Sequence, residues 1–204
     1  MSESASPRTM TFLAELREQR HDDHRYYHQS RVNQSLHLFS ACCFLVAYAL
    51  IPFQPIVAAL LGWVVAMWSR QIGHFFFEPR SYDEVNQATF AHKEAVKVGF
   101  NLQRKVVLLA VWLLVPVTLW VLQPEASWSA YLDALGRLWL LLAAAGLLAR
   151  TVWLIVTRSW QTGLVWLTKI VTDPVHDIML YRGAPLRLLQ GERLDPMLYV
   201  RARR

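Results

Sequence analysis

Cysteine is almost missing from this chain: 204 residues hold two, Cys42 and Cys43. They are adjacent and sit inside an apolar block, so they form neither a CxxC pair nor a disulfide framework. They read instead as small packing residues. The first 35 residues contain no apolar core and no small-residue cleavage site, so no signal peptide is expected. Acidic residues are the minority, 15 against 21 Lys and Arg, for a formal net charge of +6. That excess forms no stripe interleaved with base-stacking aromatics, which argues against nucleic acid as a partner. The basic residues flank apolar blocks, and anionic membrane lipid is the partner that suits them. Internal repeats and low-complexity tracts are absent as well.

What the chain has in quantity is apolar residues, 54% of the total with nine Trp. They come in blocks rather than amphipathic stripes, the pattern of an integral membrane protein. Four blocks stand out: Leu36–Phe53, Ile56–Trp68, Val106–Leu122 and Leu138–Val156. A membrane span needs roughly 17–25 residues, a length the third and fourth blocks meet. The first two are short arms around Pro52-Phe53-Gln54-Pro55, a helix-stopping turn, and predict a tight or re-entrant hairpin. The second arm can also continue helically through Phe77, with Ser69, Arg70, Gln71 and His74 at its exit end.

Lys and Arg number five in residues 1–35, none in 52–55, six in 70–105, one in 123–137 and eight in 157–204. Loaded and empty loops alternate, which places both termini in the cytoplasm. All seven histidines fall on the loaded side or at its boundary. After the fourth block, Trp160, Leu164, Leu167 and Val171 recur at helical spacing and predict an amphipathic helix on the cytoplasmic surface. Asp173-Pro174 predicts the start of a further helix, closed by Gly183. A basic tail, LDPMLYVRARR, ends the chain.

The expected fold is therefore an all-α integral membrane protein of about four membrane helices with cytoplasmic interfacial helices. It forms a single membrane domain: an N-terminal helix (1–35), a hairpin (36–77), a cytoplasmic loop or helix (78–105), a second hairpin (106–156), and an amphipathic helix with tail (157–204). In a bacterial cell this is an inner-membrane protein.

Four constellations bear chemistry. The first is His28-x4-Asn33-x3-His37. Nine residues of straight helix put the two imidazoles on opposite faces, so they meet only if the chain bends. Gln29–Val32 is the expected bend, with a new helix starting near Asn33. The second is Gln71-Ile72-Gly73-His74-Phe75-Phe76-Phe77-Glu78, where His74 and Glu78 share a helix face. Both can bind a metal, or Glu78 can hold the His74 ring from behind; as plain polar groups they would only snorkel at the interface. The third is His21-x2-His24-x3-His28, in which His24-x3-His28 is similar to the first box of membrane di-iron hydroxylases and desaturases. No HxxHH box follows, and Asp22 and Asp23 make His21 and His24 read as a solvated helix. The fourth is Thr172-Asp173-Pro174-Val175-His176-Asp177, where His176 is a candidate ligand with a carboxylate beside it. His92 is a weaker candidate. Arg150, a charge inside the fourth block, is a candidate receptor for a fatty acyl carboxylate or else a snorkelling side chain.

The segment YYHQSRVNQSLH, a short apolar hairpin and QIGHFFFE together resemble the membrane-embedded 2-hydroxy fatty acid dioxygenase family. Tyr27, His28, Asn33 and His37 match its first motif, and Gln71, Gly73, His74, Phe77 and Glu78 its second. The likeness covers residues 26–79. Family members often carry a second His where Gln29 stands, and TDPVHD has no counterpart. The resemblance implies an Fe(II)-dependent, O2-using shortening of a long-chain 2-hydroxy fatty acid by one carbon. It implies His28, His37 and His74 as metal ligands, joined by His176 or His92, with Glu78 and Asn33 as catalytic residues that tune or orient the site. Spacing alone does not choose iron over zinc. The other class open to the sequence is a non-catalytic lipid-binding or scaffolding membrane protein.

Overall fold

In the computed structural model, residues 10–25, 28–84, 86–96 and 102–195 are described. They form helices α1 (Phe12–Arg25), α2 (Arg31–Leu50), α3 (Pro55–Leu60), α4 (Met67–Ile72), α5 (Phe90–Val96), α6 (Leu102–Leu122), α7 (Trp128–Thr157), α8 (Trp160–Tyr181) and α9 (Ala184–Leu189). The described residues contain two isolated bridges, Ser30 with Leu194 and Asp83 with Ala88, and no strand.

Three helices are long and apolar enough to cross a membrane: Arg31–Leu50, Pro55–Phe77 and Trp128–Thr157. The second is composite. π-helical turns at Leu61–Ala66 and Gly73–Phe77 join α3 and α4 into one 23-residue rod. Of the two readings open for the second arm, the structure takes the longer, helical through Phe77, and both arms of the hairpin reach spanning length. The third expected span, Val106–Leu122, lies in α6, where the apolar stretch among the described residues is the shorter Ala110–Leu122. At a rise of 1.5 Å per residue α7 is about 45 Å long, more than the hydrocarbon thickness of about 30 Å.

Burial follows a membrane logic. Phe39, Val46, Leu113, Val121, Leu141 and Val156 are exposed, while Asn33, Gln34, Ser40 and Asp177 are buried. A water-soluble domain shows the reverse. An apolar outside is what lipid accepts, and the polar inside of α2 is where chemistry can sit.

The apolar core lies away from these polar groups. Ala59, Val115, Leu119, Tyr131, Leu135 and Trp139 join α3, α6 and α7. Trp112 and Trp139 stack at 4.2 Å, and Trp139 Nε1 donates to the Trp112 carbonyl at 3.0 Å. Gly136 lets α7 touch the backbone of Ile56, where any Cβ would overlap it.

The expected break at Asp173-Pro174 is not there: α8 is continuous from Trp160 to Tyr181 with Pro174 inside it and buried. A helix-interior proline costs one hydrogen bond, and packing of this segment on α1 and α2 outweighs that cost. The continuity delivers His176, Asp177 and Tyr181 to the side of α2. Trp160, Leu164, Val171, Val175 and Met179 form an exposed apolar stripe along α8. Of the expected tail, Leu194 and Asp195 fold back on α2: Arg31 Nη1 donates to Asp195 at 2.8 Å, and Asp195 N–H to the Gln29 carbonyl at 2.7 Å. Residues 196–204 lie outside the described set.

Candidate metal centre

His28 and His37 face each other because the chain turns sharply between them. Helix α2 begins at Arg31, two residues before the expected start, capped by Ser30 whose hydroxyl accepts from the Asn33 N–H. His28 has φ +76°, a left-handed backbone that non-glycine residues adopt at a cost. The turn is held from outside. Glu78 accepts from the N–H groups of Gln29 (3.2 Å) and Ser30 (3.3 Å) and from Asn33 Nδ2 (2.6 Å). Gln34 Nε2 donates to the His28 carbonyl at 2.8 Å. Glu78 and Asn33, expected to tune the site, thus form the clasp of this turn. Glu78 has extended backbone beyond the π-turn and does not continue the helix that bears His74. Gly73 makes the clasp possible, because a Cβ there would overlap Asn33 Oδ1.

Within the clasp, Nε2 of His37 lies 3.2 Å from Nε2 of His28 and 3.2 Å from Nε2 of His74. The three rings are nearly perpendicular in pairs, at 89°, 76° and 78°. A ring nitrogen has one proton or one lone pair, so hydrogen bonding cannot satisfy His37 Nε2 toward both neighbours. A shared cation can. With metal–nitrogen bonds of about 2.0–2.1 Å, nitrogens on one ion sit about 3.0 Å apart at a right angle and about 3.4 Å at the tetrahedral angle. The observed spacing falls between. His28 and His37 are buried and His74 is partly so.

Asp177 stands behind this group. Its Oδ2 is 3.6 Å from His37 Nδ1 and accepts from Arg70 Nη2 at 2.6 Å; Arg70 Nε donates to Ser40 Oγ at 3.0 Å. A carboxylate behind a ligand ring fixes its tautomer and orientation. Burial alone would raise the Asp177 pKa. The Arg70 guanidinium, with the His24 and His37 rings beside it, outweighs burial and holds the carboxyl far below the usual range.

The structure sorts the remaining histidines differently from expectation. His176 does not join the first three; with His24 and Asp177 it forms a second group of ligand atoms within 4.8 Å of one another. Its pKa is lowered to about 4 by burial, with the charges of His24 and Arg20 adding to the effect. His24 moves the other way: burial opposes protonation, but Asp177 and the Arg20 carbonyl raise its pKa. The solvated helix expected around His21 and His24 is instead packed, with the two rings 9% and 5% exposed. Arg20 Nη2 donates to Thr172 Oγ1 at 2.6 Å and ties α1 to α8. His21 lies beside Asp22 at 3.9 Å, outside both groups. His92 is exposed on α5 and also outside them. Arg150 is exposed on α7, and among the described residues no hydrogen bond or ion pair involves it.

Two residues were not singled out as site residues by sequence. Arg70 was noted only at the end of its helix. Tyr181 is 1% exposed, its ring lies within 6.0 Å of those of His24, His28 and His37, and its hydroxyl has no hydrogen-bond partner. Burial, with the Asp177 charge, holds its pKa well above the ordinary value, so the phenol keeps its proton. A buried aromatic on an amphipathic helix gives no sequence signal for such a role. Comparison with protein-family models, curated proteins and solved structures yields no match.

Proposed function

We propose that this chain is a membrane-embedded, metal-dependent oxidoreductase in which His28, His37 and His74 hold one Fe(II), acting with O2 on a long-chain 2-hydroxy fatty acid to shorten it by one carbon, the carboxyl carbon leaving as CO2 and the remaining oxygen as water. The observation that carries this is the approach of three Nε2 atoms from distant chain positions, His37 being 3.2 Å from each of the others. The donor set suits a borderline metal, iron or zinc. The choice of iron, of O2 and of the substrate rests on the resemblance of YYHQSRVNQSLH and QIGHFFFE to the 2-hydroxy fatty acid dioxygenases. His28, His37 and His74 would hold the Fe(II), which would supply the one-electron chemistry that reaction with O2 needs.

The chain's own groups have separate tasks. Glu78 and Asn33 hold the strained turn that aims His28. Asp177 orients His37 and takes its compensating charge from Arg70. Tyr181 keeps its phenolic proton and offers a donor to an oxygen atom in the site. The acyl tail lies among the apolar helices, and the basic residues hold this end at the anionic cytoplasmic surface with both termini inside. Arg150, about 10 Å from the end of α7 at 1.5 Å per residue, is placed to meet an acyl carboxylate only by reaching along its stem.

The test is turnover by detergent-solubilised protein loaded with Fe(II), given O2 and 2-hydroxypalmitate. The expected product is the acid one carbon shorter, found by mass spectrometry and missing with His74→Ala. Metal-loaded protein that consumes no O2 and forms no shortened acid excludes the reaction. A scaffolding protein would contain no stoichiometric metal and would be indifferent to His74→Ala.

A further inference from the structure

We propose that His24, His176 and Asp177 form a second divalent-metal position beside the first, so that the centre holds two ions flanking the His37–Asp177 contact. This deepens the reading of His28, His37 and His74 as metal ligands and rests on it.

Hydrogen bonding settles the tautomer of His24. Its Nδ1 lies 2.6 Å from the Arg20 carbonyl, which can only accept, so Nδ1 bears the proton. In the neutral ring Nε2 is then a lone pair. That lone pair faces Asp177 Oδ1, also an acceptor, at 3.4 Å, with the two side chains 6% and 3% exposed. Two acceptors facing each other away from water repel unless something positive lies between them.

Either a proton or a metal ion can fill that role, and the spacing favours the metal. A charged imidazole–carboxylate hydrogen bond closes to about 2.7–2.9 Å. A nitrogen and an oxygen on one ion, each about 2.1 Å from it, stand about 3.4 Å apart at the tetrahedral angle.

The third ligand is His176. Its ring meets that of His24 edge-on at 5.4 Å, and its Nδ1 is buried without a hydrogen-bond partner. One atom from each of the three residues falls within 4.8 Å of the others. Arg70 already occupies Asp177 Oδ2, which leaves Oδ1 for this position. Two imidazoles and one carboxylate suit iron, zinc or manganese better than calcium or magnesium, which prefer oxygen alone. Asp177 thus serves both positions, with one oxygen behind His37 and the other on the second ion.

The experiment is anaerobic equilibrium dialysis of the chelator-stripped full chain against Fe(II), with metal per chain read by mass spectrometry. The parent is expected to hold two ions, His176→Ala one, His74→Ala one and the double variant none. One ion in both the parent and His176→Ala overturns the proposal and assigns the gap to a proton on His24. A count that His74→Ala leaves unchanged shows instead that the first group is not a metal site, and the proposal falls with it. Should His176→Ala fail to fold, the parent's Co(II) titration decides alone: two equivalents support the second position and one overturns it.

Discussion

The two histidine groups are neighbours built by opposite means. His28, His37 and His74 contain no carboxylate. They are aimed by backbone geometry: a left-handed residue, a glycine that admits Asn33, and Glu78 clasping three donors. His24, His176 and Asp177 sit on two regular helices and are aimed by charge, through Arg20, Arg70 and the buried carboxylate. A divalent ion held by the first group would keep its full charge and would attract an anionic oxygen ligand such as a hydroxy-carboxylate. The second group brings its own anion, so it is suited to a supporting ion more than to capturing substrate. Asp177 is a member of the second group and stands behind His37 of the first, so it is the point where one perturbation should reach each.

Asp177→Asn is accordingly the largest break. It strips the charge from a buried partner of Arg70, a loss of about 3–5 kcal/mol for a buried pair. Thermal unfolding should show a large fall in Tm, and metal affinity should drop at both groups. A variant that melts with the parent would show the ion network to be incidental.

Gly73→Ala separates the two. The new methyl overlaps Asn33 Oδ1 and forces the clasp open at a cost of about 1–3 kcal/mol. Metal should be lost from the first group and kept by the second, in a denaturation series run beside metal analysis.

Acid pH sharpens the contrast in metal-free protein. The folded pKa of His176, about 4, lies below the ordinary value of about 6.5. Its contribution to stability is complete above the ordinary value and is lost as pH falls through that interval. His24, with a raised pKa, contributes fully below the ordinary value and loses its contribution as pH rises through its folded pKa. Melts across pH should show His176→Ala flattening the acid limb and His24→Ala the opposite one.

Arg150→Gln should do least. The side chain is exposed, so stability should stay within about 0.5 kcal/mol. A raised KM for the acyl substrate would give Arg150 the carboxylate; an unchanged KM removes it from the site.

The geometry of the first group was partly legible because it is arithmetic: nine residues of straight helix set His28 and His37 on opposite faces, so the two could meet only through a bend. The apolar blocks likewise exposed the helices, although α7 begins ten residues before its block, at Trp128, where polar residues of its first turns hid the start. The second group was hidden by two local signals that misled. Asp22 and Asp23 made α1 look solvated, although tertiary packing buries His24 against α8. Pro174 after Asp173 looked like a helix start, although the surrounding contacts hold the helix through it. Glu78 was visible as a carboxylate near His74, but no local pattern announces that it reaches back to Gln29, Ser30 and Asn33. Asp195 on Arg31 is unreadable for the same reason, since partners so far apart in sequence leave no periodicity.

X-ray absorption at the iron edge of anaerobically loaded His176→Ala protein isolates the first group most directly. It should show a shell of nitrogen and oxygen scatterers near 2.1 Å with outer-shell imidazole scattering from three rings, reduced to two by adding His74→Ala. A spectrum without imidazole scattering, or one that His74→Ala leaves unaltered, would contradict an ion held by His28, His37 and His74.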